Sequence, residues 1–316
     1  NKFRGDISLL QPGLDWLEER TGKPVLGVVP YLNRLGLEDE DSASLDAKRV
    51  GSPRKSAGAD VLDIVVLRLP RISNFTDIDP FFEEEDVCIR YVDHPDQWGE
   101  PDAVIIPGSK NTVEDLLFLR ETGLETRLKR HAAEGRRLVG ICAGYQMMGL
   151  RLLDPDLTES DVAELDGIGL FPAITVFAKE KRTVRVCGES DPRLTGEPLP
   201  VDGYEIHTGR TSFTGPVVHP FRIRERHDAD EPGSYREDGV MTPDGIVWGT
   251  YMHGIFHNDA LRRHWLNAVR RDKGWPPLPA SVRYAGRREE AFDRLAAHVR
   301  SHLDMRRIYE MMGIPT

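Results

Sequence analysis

The chain is poor in cysteine. Three occur in 316 residues, Cys88, Cys142 and Cys187, and so odd and sparse a set excludes a disulfide framework and fits a reducing, cytoplasmic setting. No two have Cys-x-x-Cys spacing, and no His-Glu-x-x-His run is present, so neither a structural nor a catalytic zinc site is expected. Long apolar runs are also missing: none approaches the roughly 20 residues that cross a bilayer. The formal net charge of −10 argues against nucleic acid and anionic membrane as partners. There is no phosphate loop of the form Gly-x-x-x-x-Gly-Lys-Ser/Thr. Gly22-Lys23-Pro24 lacks both the earlier glycine and the following hydroxyl residue, so a complete ATP site is not expected here. An initiator methionine, a signal peptide and internal repeats are absent too, and a fragment of a longer protein is expected. What remains is 39% hydrophobic and 30% charged, an ordinary globular composition for about two domains.

Residues 1–45 carry one helical pattern, Ile7 to Arg20, a strand-like Val25–Pro30 and an acidic stretch. That is too little to bury a core of its own. Residues 46–60 are rich in Lys, Arg, Ser, Gly and Pro and read as a linker. From 61 the pattern changes. Leu62–Leu67, Val87–Val92, Ala103–Ile106 and Leu138–Ile141 are continuous apolar strands, with a helical pattern from Thr112 to Ala133 between the last two. Such runs imply a mostly parallel sheet covered on both faces, an α/β fold. Residues 168–251 are richer in strand signals, a helix is predicted from Asp259 to Arg271, and the end is predicted as a helical extension over 273–316. Within it Phe292, Leu295, Val299 and Leu303 form one stripe. Cys88 and Cys187 fall in strand patterns and read as buried, inert thiols.

The chemistry concentrates at Gly140-Ile141-Cys142-Ala143-Gly144, between the apolar Leu138-Val139 and a helical pattern through Tyr145–Met148. Gly-x-Cys-x-Gly at a strand-to-helix turn is the cysteine form of a nucleophile elbow, and a helix N-terminus behind the sulfur favours thiolate. The base must come from elsewhere in the fold. His253 follows the strand pattern ending at Met252 and precedes Gly254, a position where open α/β sheets place functional groups; His207 and His257 remain alternatives. An oxyanion hole can use the N–H of Ala143 and one from the turn Ile106-Pro107-Gly108-Ser109. Gly203-Tyr204-Glu205-Ile206-His207 alternates like a half-exposed strand.

These residues resemble class I, triad-type glutamine amidotransferases. Gly140–Gln146, Pro107–Thr112, Arg71–Asp77, Gly203–His207 and Gly249–Phe256, in that setting, are similar to the cobyric acid synthase family of the cobalamin pathway. The resemblance implies a flavodoxin-like glutamine amidotransferase domain over 61–272. Residues 1–45 would be the C-terminal remnant of a P-loop-type, ATP-dependent synthetase domain, whose main part is a missing partner. It implies Cys142 as nucleophile, His253 as base, Gly108 and Ala143 as the oxyanion hole, and Gln146, Tyr204, Glu205 and His207 near bound glutamine. No metal is implied for glutamine hydrolysis. ATP and Mg2+ are implied for the complete enzyme, with adenosylcobyrinic acid a,c-diamide as the corrinoid substrate, amidated at its b, d, e and g carboxylates through a Cys thioester and released ammonia. Many class I relatives place a glutamate two residues after the histidine; here that position is Ile255. A backbone carbonyl is the expected orienting group instead. The competing readings are another amide-forming synthetase of the same branch, such as cobyrinic acid a,c-diamide synthase or the lipid II amidating pair, against which Pro107-Gly108-Ser109-Lys110 speaks, a non-catalytic module, and a cysteine peptidase or esterase on the same elbow.

Overall fold

The structure, a computed structural model, describes residues 1–33, 35, 60–226 and 235–314. The chain forms two compact units, one of Asp39–Tyr284 and one of Asn1–Glu38 with Ala285–Thr316. The segment read as a linker lies outside the described residues except for Asp60.

In the larger unit, apolar runs become β1 (Leu62–Leu67), β2 (Ile72–Ser73), β3 (Val87–Val92), β4 (Ala103–Ile106), β5 (Gly108–Ser109) and β6 (Arg137–Ile141). There follow β7 (Arg151–Leu153), β8 (Glu164–Asp166), β9 (Ala173–Ser190), β10 (Pro200–Phe213), β11 (Phe221–Glu225), β12 (Arg236–Asp238), β13 (Val240–Met241) and β14 (Val247–Thr250). The central sheet runs β13-β14-β6-β4-β1-β3. Every pair in it is parallel except β13 with β14. Ile64, Val65, Val66, Val104, Ile105, Leu138 and Val139 are fully buried there, which is why these strands read as unbroken apolar runs. A second sheet, β12-β11-β9-β7-β8 with β10 on β9, is largely antiparallel. It accounts for the strand-rich middle of the sequence.

The helical pattern predicted over 112–133 is two helices, Thr112–Glu121 and Leu124–Ala133, because Gly123 at φ 82° breaks it. The helix predicted from Asp259 runs Asp259–Asp272. Among the described residues no helix is long and apolar enough to cross a membrane. Cys88 and Cys187 are half-buried rather than buried, since both lie in strands outside the most enclosed rows, and burial followed by the nearby Asp63 charge pushes the Cys88 thiol up.

In the smaller unit the helix is Ile7–Thr21, capped by the Asp6 carboxylate on the Ser8 N–H. The strand expected at Val25–Pro30 is instead a pair of isolated bridges, Phe3 with Pro30 and Gly27 with Leu303. Pro30 has no N–H to extend a ladder. The C-terminal pattern forms two helices, Tyr284–Ser301 and Met305–Met311. Its expected stripe is not deeply buried: Phe292 is exposed, and Ala291 is the residue of that first helix the fold encloses. The division also differs from the expected one. Residues 285–316 join the N-terminal segment through Asp304 N–H on Leu26 O (2.7 Å) and His298 Nε2 with Pro30 O (3.0 Å). Residues 273–284 stay with the larger unit, held by Arg270 on Pro276 O (2.7 Å) and Asn267 on Leu278 O (2.8 Å).

Candidate active site

β6 ends at Ile141 and a short helix, Ala143–Met147, begins one residue later. Cys142 is the bend between them. It holds φ 52° and ψ −109°, a conformation that costs an L-residue on the order of 1–3 kcal/mol and persists only when its surroundings enforce it. The flanking glycines do so. A Cβ on Gly144 would stand 2.1 Å from Ile106 O, and one on Gly140 would stand 2.4 Å from Met148 Sδ, so no other residue lets the strand, helix and β4 approach this closely. The Cys142 N–H donates to Thr250 O (2.8 Å), tying the bend to the end of β14. Its sulfur, 5% exposed as a residue, faces the Ile206 carbonyl at 3.7 Å.

β14 leads into the loop that carries His253, which is completely buried. Its Nδ1 meets Asp77 Oδ2 at 2.7 Å, and the other Asp77 oxygen accepts the Gly254 N–H at 2.7 Å. The expectation of a backbone carbonyl as orienting group is therefore corrected: a carboxylate 176 residues away in sequence does the work. Asp77 is itself 1% exposed and sits in a 3-10 helix, Phe75–Glu83. Two braces hold that helix against the His253 loop. Arg262 donates to Glu84 Oε1 and to Phe256 O, both at 2.8 Å, and Phe81 packs on Phe256 with centroids 4.7 Å apart. His257, one of the alternative bases, contributes to the same junction by pairing its Nε2 with Thr76 O at 3.0 Å.

Burial alone would depress the His253 imidazole, but the Asp77 carboxylate and the Cys142 sulfur outweigh it and push it up to about 10. Among the described residues Nε2 has no well-aligned hydrogen bond. The ring thus has its Nδ1 fixed on a carboxylate and the Cys142 sulfur within reach of the imidazole. That arrangement can take a proton from a thiol and hand it on. Gly108 lines the same spot, where an added Cβ would lie 3.0 Å from His253 Cε1. Ala143, 1% exposed, follows the nucleophile directly.

The other expected site residues divide. Gln146 is buried; its Oε1 accepts from Thr112 Oγ1 (3.0 Å) and its Nε2 donates to Tyr251 OH (3.2 Å). Tyr204 stacks on the His253 ring, centroids 5.3 Å apart. His207 stacks on Tyr251 at 3.8 Å and pairs Nδ1 with Gly209 O at 2.7 Å. Glu205, expected near glutamine, is fully buried and bound through Oε2 to Arg182 (3.0 Å) and Arg236. β10 is the half-exposed strand that its alternation predicts, and Glu205 lies on its enclosed face.

Two groups escaped the sequence reading. Asp77 lay within a quoted motif, yet no spacing links it to His253. Glu159 accepts the Thr112 N–H at 2.8 Å and lines a cavity of about 430 Å³ with Lys110, Thr158, Ala178, Lys179 and Thr208. Cys142, His253 and Gln146 do not line it; its wall residue Thr208 lies two residues beyond the Ile206 carbonyl that faces the sulfur, and Glu159 reaches Thr112, which is bonded to Gln146.

Residues 63–261 match the CobB/CobQ-like glutamine amidotransferase domain. The chain is 45% identical over 317 residues to the cobyric acid synthase of Geobacillus kaustophilus, a match covering 99% of the chain and 59% of the relative. It is 46% identical over 316 residues to that of Geobacillus thermodenitrificans, covering 99% and 59%. With that of Pelotomaculum thermopropionicum it shares 46% over 324 residues, covering 100% and 60%. The chain therefore spans about 59% of the length of the first of these relatives.

Proposed function

The chain belongs to the CobB/CobQ-like glutamine amidotransferase family, and from that premise we propose that it is the glutamine-hydrolysing part of a cobyric acid synthase. The thiol proton of Cys142 resides on His253 Nε2 as an ion pair, and the Cys142 thiolate attacks the side-chain amide carbon of glutamine. The same nitrogen returns that proton to the departing ammonia. Asp77 keeps Nδ1–H in place and stabilises the imidazolium, as a triad acid does. The N–H groups of Ala143 and Gly108 stabilise the oxyanion. Water then cleaves the thioester to glutamate. Ammonia passes to the synthetase reaction of the longer protein, which amidates the b, d, e and g carboxylates of adenosylcobyrinic acid a,c-diamide.

The amino-acid end of glutamine suits the cavity beside the site. Glu159 offers a carboxylate to the α-ammonium, and Lys110 and Lys179 offer cations to the α-carboxylate. Gln146 serves as a wall, its amide fixed by Thr112 and Tyr251. ATP and Mg2+ belong to the amidation. The sequence here has no phosphate loop of the form Gly-x-x-x-x-Gly-Lys-Ser/Thr to hold the nucleotide.

The observation that carries this reading is the buried Asp77–His253 pair at 2.7 Å beside a strained cysteine. The test is Cys142→Ala in the longer protein. Glutamine-dependent amidation and glutamate release are lost, while amidation from free ammonium is retained. Loss of the ammonium-dependent reaction as well would overturn the division into two sites, and retained glutamate release would overturn Cys142 as nucleophile.

A further inference from the structure

Tyr204 holds His253 in three ways at once. Its ring lies over the imidazole with 25° between the planes. Its backbone forms an isolated antiparallel bridge with the histidine, Tyr204 N–H to His253 O at 3.1 Å and His253 N–H to Tyr204 O at 2.8 Å. Its hydroxyl accepts from Asn74 Nδ2 at 2.7 Å, and Asn74 is the residue that starts the Asp77 helix. The two backbones approach so closely that only glycine fits beside them: a Cβ on Gly203 would lie 2.4 Å from His253 O. The hydroxyl thus ties the stack to the element that supplies the orienting acid.

We propose that Tyr204 is a positioning residue for glutamine hydrolysis: it clamps the plane of the His253 ring against Asp77 and stabilises the imidazolium through its π-face, and it does not bind glutamine. The assignment rests on Cys142 and His253 being nucleophile and base. Asp77 fixes one edge of the imidazole but leaves it free to swing about that contact. A ring stacked on its face removes the swing and keeps Nε2 aimed at the sulfur. An aromatic face also favours the protonated ring over the neutral one. The groups around the imidazole are Asp77 from the 3-10 helix, Cys142 from the elbow, Gly108 from β5 and Tyr204 from β10. Tyr204 alone among them covers its face.

The test uses the longer protein with Tyr204→Leu, Tyr204→Met, Tyr204→Phe and the double change Tyr204→Phe with Asn74→Ala. Two readouts are taken: kcat and KM for glutamine, and the pH profile of Cys142 alkylation by iodoacetamide, which needs no glutamine. Tyr204→Leu is expected to lower kcat by about 10²-fold, the cost of a misplaced catalytic group, with KM within about twofold. It should also move the acid limb of the alkylation profile to higher pH. Tyr204→Phe keeps the stack and restores that profile, with a loss of only a few-fold in kcat. Both phenylalanine variants keep the ring without its hydroxyl tether and should match each other; Tyr204→Met, a flexible apolar filler without a ring, should behave as the leucine variant does and keeps the test alive if leucine does not fold. A raised KM with unchanged kcat would make Tyr204 a glutamine contact and sink the proposal, as would leucine and wild-type profiles that superimpose. Failure of the underlying reading looks different: His253→Ala would then leave the wild-type alkylation profile unmoved.

Discussion

Two histidines of this molecule, His253 fully buried and His207 half-buried, are stacked and bonded in similar ways. His253 lies under Tyr204 with 25° between the rings, and His207 lies on Tyr251 with 19° between them. Each engages its Nδ1 at 2.7 Å. The partner differs. At His253 it is the carboxylate of Asp77; at His207 it is the peptide carbonyl of Gly209, where β10 bulges. Burial depresses His207, and the carbonyl does not reverse it. Burial opposes the proton at the fully enclosed His253 too, but there a full negative charge, together with the sulfur, overcomes it and lifts the ring to about 10. A dipole fixes a tautomer, whereas a charge makes a buried base that welcomes a proton. Aromatic packing and glycine neighbours, which the two share, are not what separates them.

Replacing each imidazole in turn attacks this contrast most directly. His253→Ala is expected to lower glutamine-dependent kcat by about 10³- to 10⁴-fold, the upper range for a general base. His207→Ala should stay within about tenfold and act through the packing of Tyr251. Steady-state glutamate release measures both, and equal losses would erase the distinction. Asp77→Asn comes next. It preserves shape and removes the charge, so kcat should fall by about 10²-fold with KM little changed. If Asp77→Asn were as active as the parent, the carboxylate would be a structural tie and the two histidines would differ for another reason.

The strands of the central sheet could be read from the chain because burial on both faces forces unbroken apolar runs, and Leu62–Leu67 or Leu138–Ile141 admit little else. The elbow was legible for a related reason: Gly140 and Gly144 are dictated by backbone approaches of a few ångströms and leave a local mark. The orienting acid left none. Asp77 and His253 meet because a 3-10 helix and a loop are braced by Glu84–Arg262 and Phe81–Phe256, contacts between segments far apart in the chain. The burial of Glu205 marks a different limit of the sequence. Alternation shows that one face of a strand is polar but not which face is inside, and an acid facing Arg182 and Arg236 looks the same in sequence as one facing water.

The smallest effect is one of stability, and it should carry opposite signs at the two rings. The folded state holds the His253 proton up to about pH 10, whereas the unfolded chain releases it near 6.5, the ordinary imidazole value. Between those limits the native protein binds more protons than the unfolded one, so stability falls as pH rises. The contribution is complete below about 6.5 and gone above about 10. His207 runs the other way. Its folded value is lowered from 6.5, so the unfolded chain binds the proton first and stability is lost as pH falls below that value. Urea midpoints measured across this range should therefore show an alkaline decline that Asp77→Asn flattens and an acid decline that His207→Gln reduces. The variants are compared with the parent at each pH, so titrations common to all of them cancel. Parallel curves for the parent and Asp77→Asn would mean that the charge at Asp77 does not hold the His253 proton, and the contrast between carboxylate and carbonyl would lose its physical basis.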